Sequence, residues 1–270
     1  MNKKIGFIGG GNMAEGIIKG LLNTGAKSAQ EILVKELIPA RKQYLKETYG
    51  LLLTDSYEEL AVEADILILA VRPQDAKSVG LELAKVIDAG KHTLVSICAG
   101  IQIEKMSGWI GENVRYARIM PNTMIEARRG YSALAFSENF SEEEKAEVQK
   151  ITDAIGKTLL LAENLFDAFT ASSCAGPEWF ILFSTALIDA AVETGISRKD
   201  ATAIVYENMI ATGLLLSKTD KHPMQITDEM NTPGGIGIAG FHTFKSGGLH
   251  GITMDAVYAA YIRTTELGKC

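Results

Sequence analysis

A short apolar run, Ile5-Gly6-Phe7-Ile8, leads directly into Gly9-Gly10-Gly11-Asn12-Met13-Ala14. The second segment fits G-x-G-x-x-A. Beyond it Met13, Ile17, Ile18, Leu21 and Leu22 recur at helical spacing. Strand, glycine turn and helix in that order are the context that gives the motif meaning. Gly9 permits the tight turn, Gly11 lets a pyrophosphate approach the backbone, and Ala14 lets helix and strand pack closely. The first helical turn, with Asn12 and Met13, points its free N–H groups at the anion. The alternative, a glycine-rich turn without a ligand, fits this context less well.

The pattern then repeats. Residues 31–34 read as a second strand and 39–49 as a helix ending at Gly50. Ser56 and Glu59 have capping-box spacing, as do Ser141 and Glu144. Residues 65–71 (DILILAV) form the clearest buried parallel strand. Further strands are expected at 93–97, 116–119 and 131–136, with helices at 77–87 and 103–109. Strands alternating with helices argue for a parallel sheet covered on both faces. The expected architecture is an α/β Rossmann-type dinucleotide-binding domain over residues 1–163. An all-α domain over 164–270 follows it.

Strand signals stop after about residue 163. Residues 178–193 read as a long helix ended by Gly195, and Ser197 caps the next, which runs to about 217. Residues 224–230 and 254–267 are also expected to be helical. Trp179, Phe180, Ile181, Leu182, Phe183, Ala186, Leu187, Ala190 and Ala191 cover most of the first helix's circumference. A segment this short offers few partners to bury them, so a second copy of the chain is the expected cover.

With 27 basic and 33 acidic residues, the chain carries a net charge of −6. That excludes a broad nucleic-acid surface, which needs a basic field. The apolar run 64–71 is far short of the roughly 20 residues of a membrane span, so no membrane partner is expected. The apolar start is too short and too glycine-broken for a signal peptide. Cys98, Cys174 and Cys270 are odd in number and lack CxxC spacing, which suits a reducing cytoplasm. His92, His222, His242 and His250 have no ligand-like spacing, so no metal is expected.

The end of the second strand leaves the dinucleotide open. Glu36 can accept a ribose 2′-OH, favouring NADH, whereas Lys35 or Arg41 can pair with a 2′-phosphate, favouring NADPH. A second cluster, Ala70-Val71-Arg72-Pro73, ends the 65–71 strand, where ligands of such sheets bind. Ser96-Ile97-Cys98-Ala99-Gly100 ends another strand with residues small enough for a flat nicotinamide to lie close. Cys98 reads as buried filler, with no His or Asp partner nearby in sequence.

The run from Gly6 to Ala14, AVRPQ at 70–74, residues 96–100 and Met120-Pro121-Asn122-Thr123 together resemble pyrroline-5-carboxylate reductases. The second half continues the likeness with Phe169-Thr170-Ala171, Gly176-Pro177 and His222-Pro223. Its most specific stretch is Thr232-Pro233-Gly234-Gly235-Ile236-Gly237-Ile238-Ala239-Gly240. The resemblance covers essentially the whole chain. It implies an enzyme that reduces the C=N bond of 1-pyrroline-5-carboxylate to L-proline with NADPH or NADH. It also implies a helical C-terminal domain that dimerises, and a homodimer that can build larger assemblies.

The same resemblance implies cofactor contacts from Gly9, Gly11, Asn12, Met13, Ala14, Lys35, Glu36, Ala70, Val71, Arg72, Pro73, Ala99, Gly100 and Asn122. The substrate, a cyclic imine carboxylate, falls to Ser173, Gly176, Pro177, Glu178, Thr232, Pro233, Gly234 and Gly235. Thr232 and Gly237 occupy the catalytic positions. Side-chain-free N–H groups of the 233–235 turn are suited to a carboxylate.

The chain departs from the family pattern at several of these places. Gly237 stands where the family usually has a threonine, Ala175 replaces a small hydroxyl residue, and Glu178 replaces an alanine. Leu37 stands at a commonly basic position, and AVKP reads AVRP. These departures keep two alternatives in play, a reductase of a related imine and a cofactor-binding homologue without catalysis. A β-hydroxyacid dehydrogenase is disfavoured because residues 176–181 hold no lysine.

Overall fold

The structure, a computed structural model, describes residues 4–267. Strand β1 (Ile5–Ile8) is apolar along its length because both its faces are covered. Ile5 and Phe7 pack with Ile17, Ile18 and Leu21 of α1 (Asn12–Asn23). Ile8 packs on the opposite side with Leu60 of α3 (Tyr57–Glu63). Strand β4 (Ile66–Leu69) alternates in the same way, Ile66 and Ile68 to the first cluster and Leu67 and Leu69 to the second.

The other strands are β2 (Ile32–Lys35), β3 (Leu52–Thr54), β5 (Thr93–Ser96), β6 (Arg115–Met120), β7 (Gly130–Phe136) and β8 (Gly156–Leu160). All eight form one sheet in the order β3-β2-β1-β4-β5-β6-β7-β8. Every neighbouring pair is parallel except β6 with β7. The chain winds outward from β1 to β3 on one side and restarts with β4 on the other. The strand order therefore reverses between β1 and β4, and the crevice beyond their C-terminal ends is where ligands of such sheets bind.

Helices α2 (Pro39–Tyr49), α4 (Ala76–Leu83), α5 (Ile103–Ile110) and α6 (Glu142–Asp153) complete the layers. A short helix, α7 (Phe166–Phe169), runs into a π-helical turn at Thr170–Cys174. Five helices follow: α8 (Gly176–Glu193), α9 (Arg198–Leu216), α10 (Pro223–Met230), α11 (Ile236–Ser246) and α12 (Leu249–Leu267). The chain divides into two compact units. One holds the residues up to Ala175 together with those from Ala260 on, and the other is Gly176–Ala259.

The helical unit has a small core of Ile188, Ala201 and Val205. Much of its apolar side chain faces outward, including Phe180, Ile181 and Leu182 of α8, Ile210 of α9, and Ile252 and Met254 of α12. This agrees with a helix that its own chain leaves uncovered.

Several expectations are corrected. Strands β3 and β8 escaped the sequence reading; both lie at sheet edges, and their half-exposed residues show no alternation. The sheet is not wholly parallel, because β7 turns back against β6. Helix α4 stops at Leu83, four residues early, and α12 begins at Leu249, five residues before the expected start. Ser56 caps α3 through the Glu59 amide, but Glu59 does not complete the box, since its carboxylate takes the Thr54 hydroxyl instead. The box at Ser141 and Glu144 is complete. Residues 163–193 are helical and, by length and composition, apolar enough to cross a membrane, which the sequence reading did not anticipate. Cys270 lies outside the described residues.

Beneath β6 a buried guanidinium ties the sheet to the segment leading into α7. Arg118 is only 2% exposed; it donates to Glu163 Oε1 at 2.9 Å and lies 4.6 Å over the Phe166 ring. The same Glu163 oxygen accepts the Ile103 N–H that opens α5. Arg118 Nη2 has no partner among the described residues. An unpaired buried charge costs more than an apolar replacement of the pair. Glu163→Ala should therefore lower unfolding free energy by about 3–5 kcal/mol in a denaturant titration. The double variant Glu163→Ala, Arg118→Met should recover at least part of that loss.

Candidate active site

Residues Gly9–Gly11 leave β1 at the point of strand reversal and open α1. The Gly9 N–H donates to the Lys35 carbonyl at 2.8 Å, and its φ of +98° is one that glycine adopts without strain. A Cβ on Gly9 would lie 2.5 Å from the Ala70 carbonyl oxygen. Gly9 is thus wedged among the ends of β1, β2 and β4. Gly11 differs. Its φ of −67° suits any residue, and a Cβ there would have no atom within 4 Å. That open space beside the helix N-terminus is the cradle the motif requires for a pyrophosphate. Asn12 and Met13 form the first helical turn, and Ala14 is buried beneath it.

Gly10 is held at both ends of its residue. Its N–H donates to Glu36 Oε2 at 2.8 Å, and its carbonyl accepts from Arg41 Nε at 2.6 Å. The other Glu36 oxygen accepts the N–H groups of Leu37 and Ile38 at 2.7 and 2.9 Å. Arg41 continues to Glu15 of α1, with Nη2 2.6 Å from Oε2, while Tyr44 and Tyr49 donate to Oε1 of the same carboxylate. Lys35 turns away, with its ammonium 4.4 Å over the Tyr57 ring. Burial alone would raise the Glu15 carboxyl; hydrogen bonds from Tyr49, Arg41 and Tyr44 outweigh it and hold it down at about 2.

The other expected contacts of this unit lie at the ends of neighbouring strands. Ala70 and Val71 follow β4, and Pro73 opens a 3₁₀ turn. The Arg72 side chain is exposed and pairs with Asp75 at 2.8 Å. Ala99 and Gly100 follow β5, with Gly100 buried at φ +71°. Asn122 is buried after β6. Its Oδ1 accepts from the Met124 and Tyr131 amides, and its Nδ2 donates to the Ser173 carbonyl and hydroxyl, each at 3.3 Å. Ser173 sits on the π-helical turn, a feature frequent at functional sites. Burial raises the thiols of Cys98 and Cys174 to about 11, so neither is a ready nucleophile.

In the helical unit Gly176 is buried at the start of α8, with Pro177 and Glu178 in its first turn. The Gly235 N–H returns to the Thr232 carbonyl at 2.9 Å, with Pro233 and a positive-φ Gly234 between them, a type II turn. Gly235 then caps α11 without a side-chain bond, and Gly237 is the second residue of that helix. The sequence reading saw the turn and missed the helix. Glycines at 237 and 240 hide the helical signal, since glycine is a poor helix former. A helix start without a side-chain cap thus follows the turn, and the first amides of a helix have no partner within it.

A glycine turn at the strand reversal of a doubly wound sheet, followed by a helical unit, defines a dinucleotide-binding oxidoreductase of the Rossmann type. Residues 4–100 match the family model described as NADP oxidoreductase coenzyme F420-dependent, and residues 163–267 match pyrroline-5-carboxylate reductase dimerisation. The chain belongs to the pyrroline-5-carboxylate reductase family. It is 34% identical over 266 residues to the pyrroline-5-carboxylate reductase of Arabidopsis thaliana, covering 98% of this chain and 96% of the relative. It is also 34% identical over 269 residues to that of a Synechocystis strain, covering 100% of both. Among solved structures, a pyrroline-5-carboxylate reductase from Coxiella burnetii superposes with a TM-score of 0.90 at 28% identity, covering 99% of each chain. The Plasmodium falciparum pyrroline carboxylate reductase with NADP bound gives 0.87 at 28% identity, covering 99% of this chain and 98% of its own.

Gly11→Val should leave stability within about 0.5 kcal/mol of the parent, because its side chain enters open space. It should weaken fluorescence-detected binding of NADH and NADPH by more than about tenfold, or roughly 1.4 kcal/mol. Separately, Glu15 titrates near 4.5 when unfolded and near 2 when folded, so its contribution is full above pH 4.5 and fades as pH falls toward 2. Glu15→Gln should cost about 1–3 kcal/mol at pH 7, and the difference from wild type should shrink through that window in pH-dependent melts.

Proposed function

We propose that the chain reduces 1-pyrroline-5-carboxylate to L-proline with NADH or NADPH. The observation that carries this reading is its likeness, from end to end, to relatives that bear the name pyrroline-5-carboxylate reductase. When bound, the reduced nicotinamide supplies a hydride to the imine carbon, and the ring nitrogen ends protonated. Gly9, Gly11, Asn12, Met13 and Ala14 hold the pyrophosphate at the start of α1, while Lys35 and Glu36 border the adenosine ribose. Ala70, Val71, Arg72, Pro73, Ala99, Gly100 and Asn122 line the nicotinamide side.

Residues 164–270 form the substrate and dimerisation domain in this reading. Thr232, Pro233, Gly234 and Gly235, with the free amides opening α11, take the carboxylate. Ser173, Gly176, Pro177 and Glu178 border the ring. Gly237 offers no hydroxyl, so the nitrogen's proton comes in with an iminium substrate or from water. The exposed apolar faces of α8, α9 and α12 pack against a second copy of the chain. The free thiols Cys98 and Cys174 suit a reducing cytoplasm.

The departures at Ala175, Glu178 and Gly237 favour one second reading, a related amino-acid-derived imine as substrate. Purified protein with 1-pyrroline-5-carboxylate should oxidise NADH or NADPH and release proline. Gly237 has no positive φ, and an added Cβ there would meet only the Asn231 side chain, at 2.7 Å. Gly237→Thr should therefore fold and raise kcat/KM, the restored hydrogen bond contributing about 1.5–3 kcal/mol. Tight dinucleotide binding with no turnover would identify a homologue without this catalysis. A folded Gly237→Thr without gain would favour the other imine.

A further inference from the structure

We propose that this enzyme selects NADH over NADPH, and that Glu36, pinned by the phosphate turn itself, makes the selection. The inference rests on the reading of the chain as an NAD(P)H-dependent reductase and concerns the adenosine end of the same site. Glu36 follows β2 directly, the place where the adenosine ribose meets the chain in this class of sheet. The residue is 9% exposed, and its carboxylate accepts three backbone N–H groups, from Gly10, Leu37 and Ile38. A carboxylate has about four acceptor directions, so one remains for a ribose hydroxyl.

A 2′-phosphate brings close to two negative charges to the same spot. Glu36 cannot swing aside to admit it without stripping acceptors from three amides, one of them in the phosphate turn. Nor does the corner hold a spare cation among the described residues. Arg41 is taken by the Gly10 carbonyl and by Glu15, whose carboxylate stays charged across the physiological range. Lys35 lies over Tyr57, and Lys42 pairs with Asp55. Moving Arg41 to a phosphate would leave the buried Glu15 with two tyrosine hydroxyls and the distant Lys19, 3.8 Å from Oε1, as its remaining partners. The next side chain, Leu37, is 77% exposed and uncharged.

The test is a pair of fluorescence titrations of the purified full chain with NADH and NADPH, needing no imine substrate. The wild type should bind NADH at least tenfold more tightly. Leu37→Arg places a cation at the exposed position beside Glu36 with little risk to the fold. It should tighten NADPH about tenfold while changing NADH less than threefold. Glu36→Gln, if folded, should narrow the gap from the other side. Equal affinities in the wild type, or tighter NADPH, would overturn the proposal, as would a Leu37→Arg that leaves the ratio unmoved. Failure of both dinucleotides to bind would overturn the underlying reductase reading, and this proposal with it.

Discussion

The hydrogen bonds on Gly10 are the constraint from which the rest of the cofactor corner follows. Its amide is held by a carboxylate that ends β2, and its carbonyl by a guanidinium on α2. A glycine-rich turn is floppy by composition, and ordering it costs backbone entropy that no apolar side chain offsets. Here two charged side chains from outside the turn supply the compensation. Both partners are themselves fixed, Glu36 by the Leu37 and Ile38 amides just before α2 and Arg41 by Glu15 of α1. The turn, α1 and α2 thus form one braced corner around the open space beside Gly11.

The glycine turn of the helical unit is closed by a backbone hydrogen bond instead. A type II turn at Thr232–Gly235 aims the start of α11 outward and leaves its amides without a side-chain cap. Its apolar side chains are mostly displayed rather than packed, and the small core around Ile188 accounts for little of them. Stability of this unit should depend on self-association, as is usual where a second copy completes the core.

The alternation of strands and helices was legible because β1 and β4 are buried on both faces and carry unbroken apolar runs. Helix α2 was legible to the residue, with Pro39 opening it and Gly50 closing it. Edge strands β3 and β8 were not, since exposure removes the pattern that reveals a strand. Glu36 was picked out by position, yet nothing in the sequence said that its oxygens were already engaged by three amides. Arg41 was weighed only as a phosphate ligand, because its partner Glu15 lies 26 residues away in the chain. The tie between Asn122 and Ser173 spans 51 residues and leaves no local trace. Long-range polar contacts of this kind lack periodicity, the signal on which sequence reading rests.

The phosphate turn is held in place by the chain's own groups before any dinucleotide arrives. Residue-resolved amide hydrogen exchange on the ligand-free protein tests it most directly. The Gly9 and Gly10 amides, held by the Lys35 carbonyl and the Glu36 carboxylate, should be protected to a degree that added NADH hardly changes. Fast exchange at both amides in the free protein, with protection appearing only on adding NADH, would contradict the account.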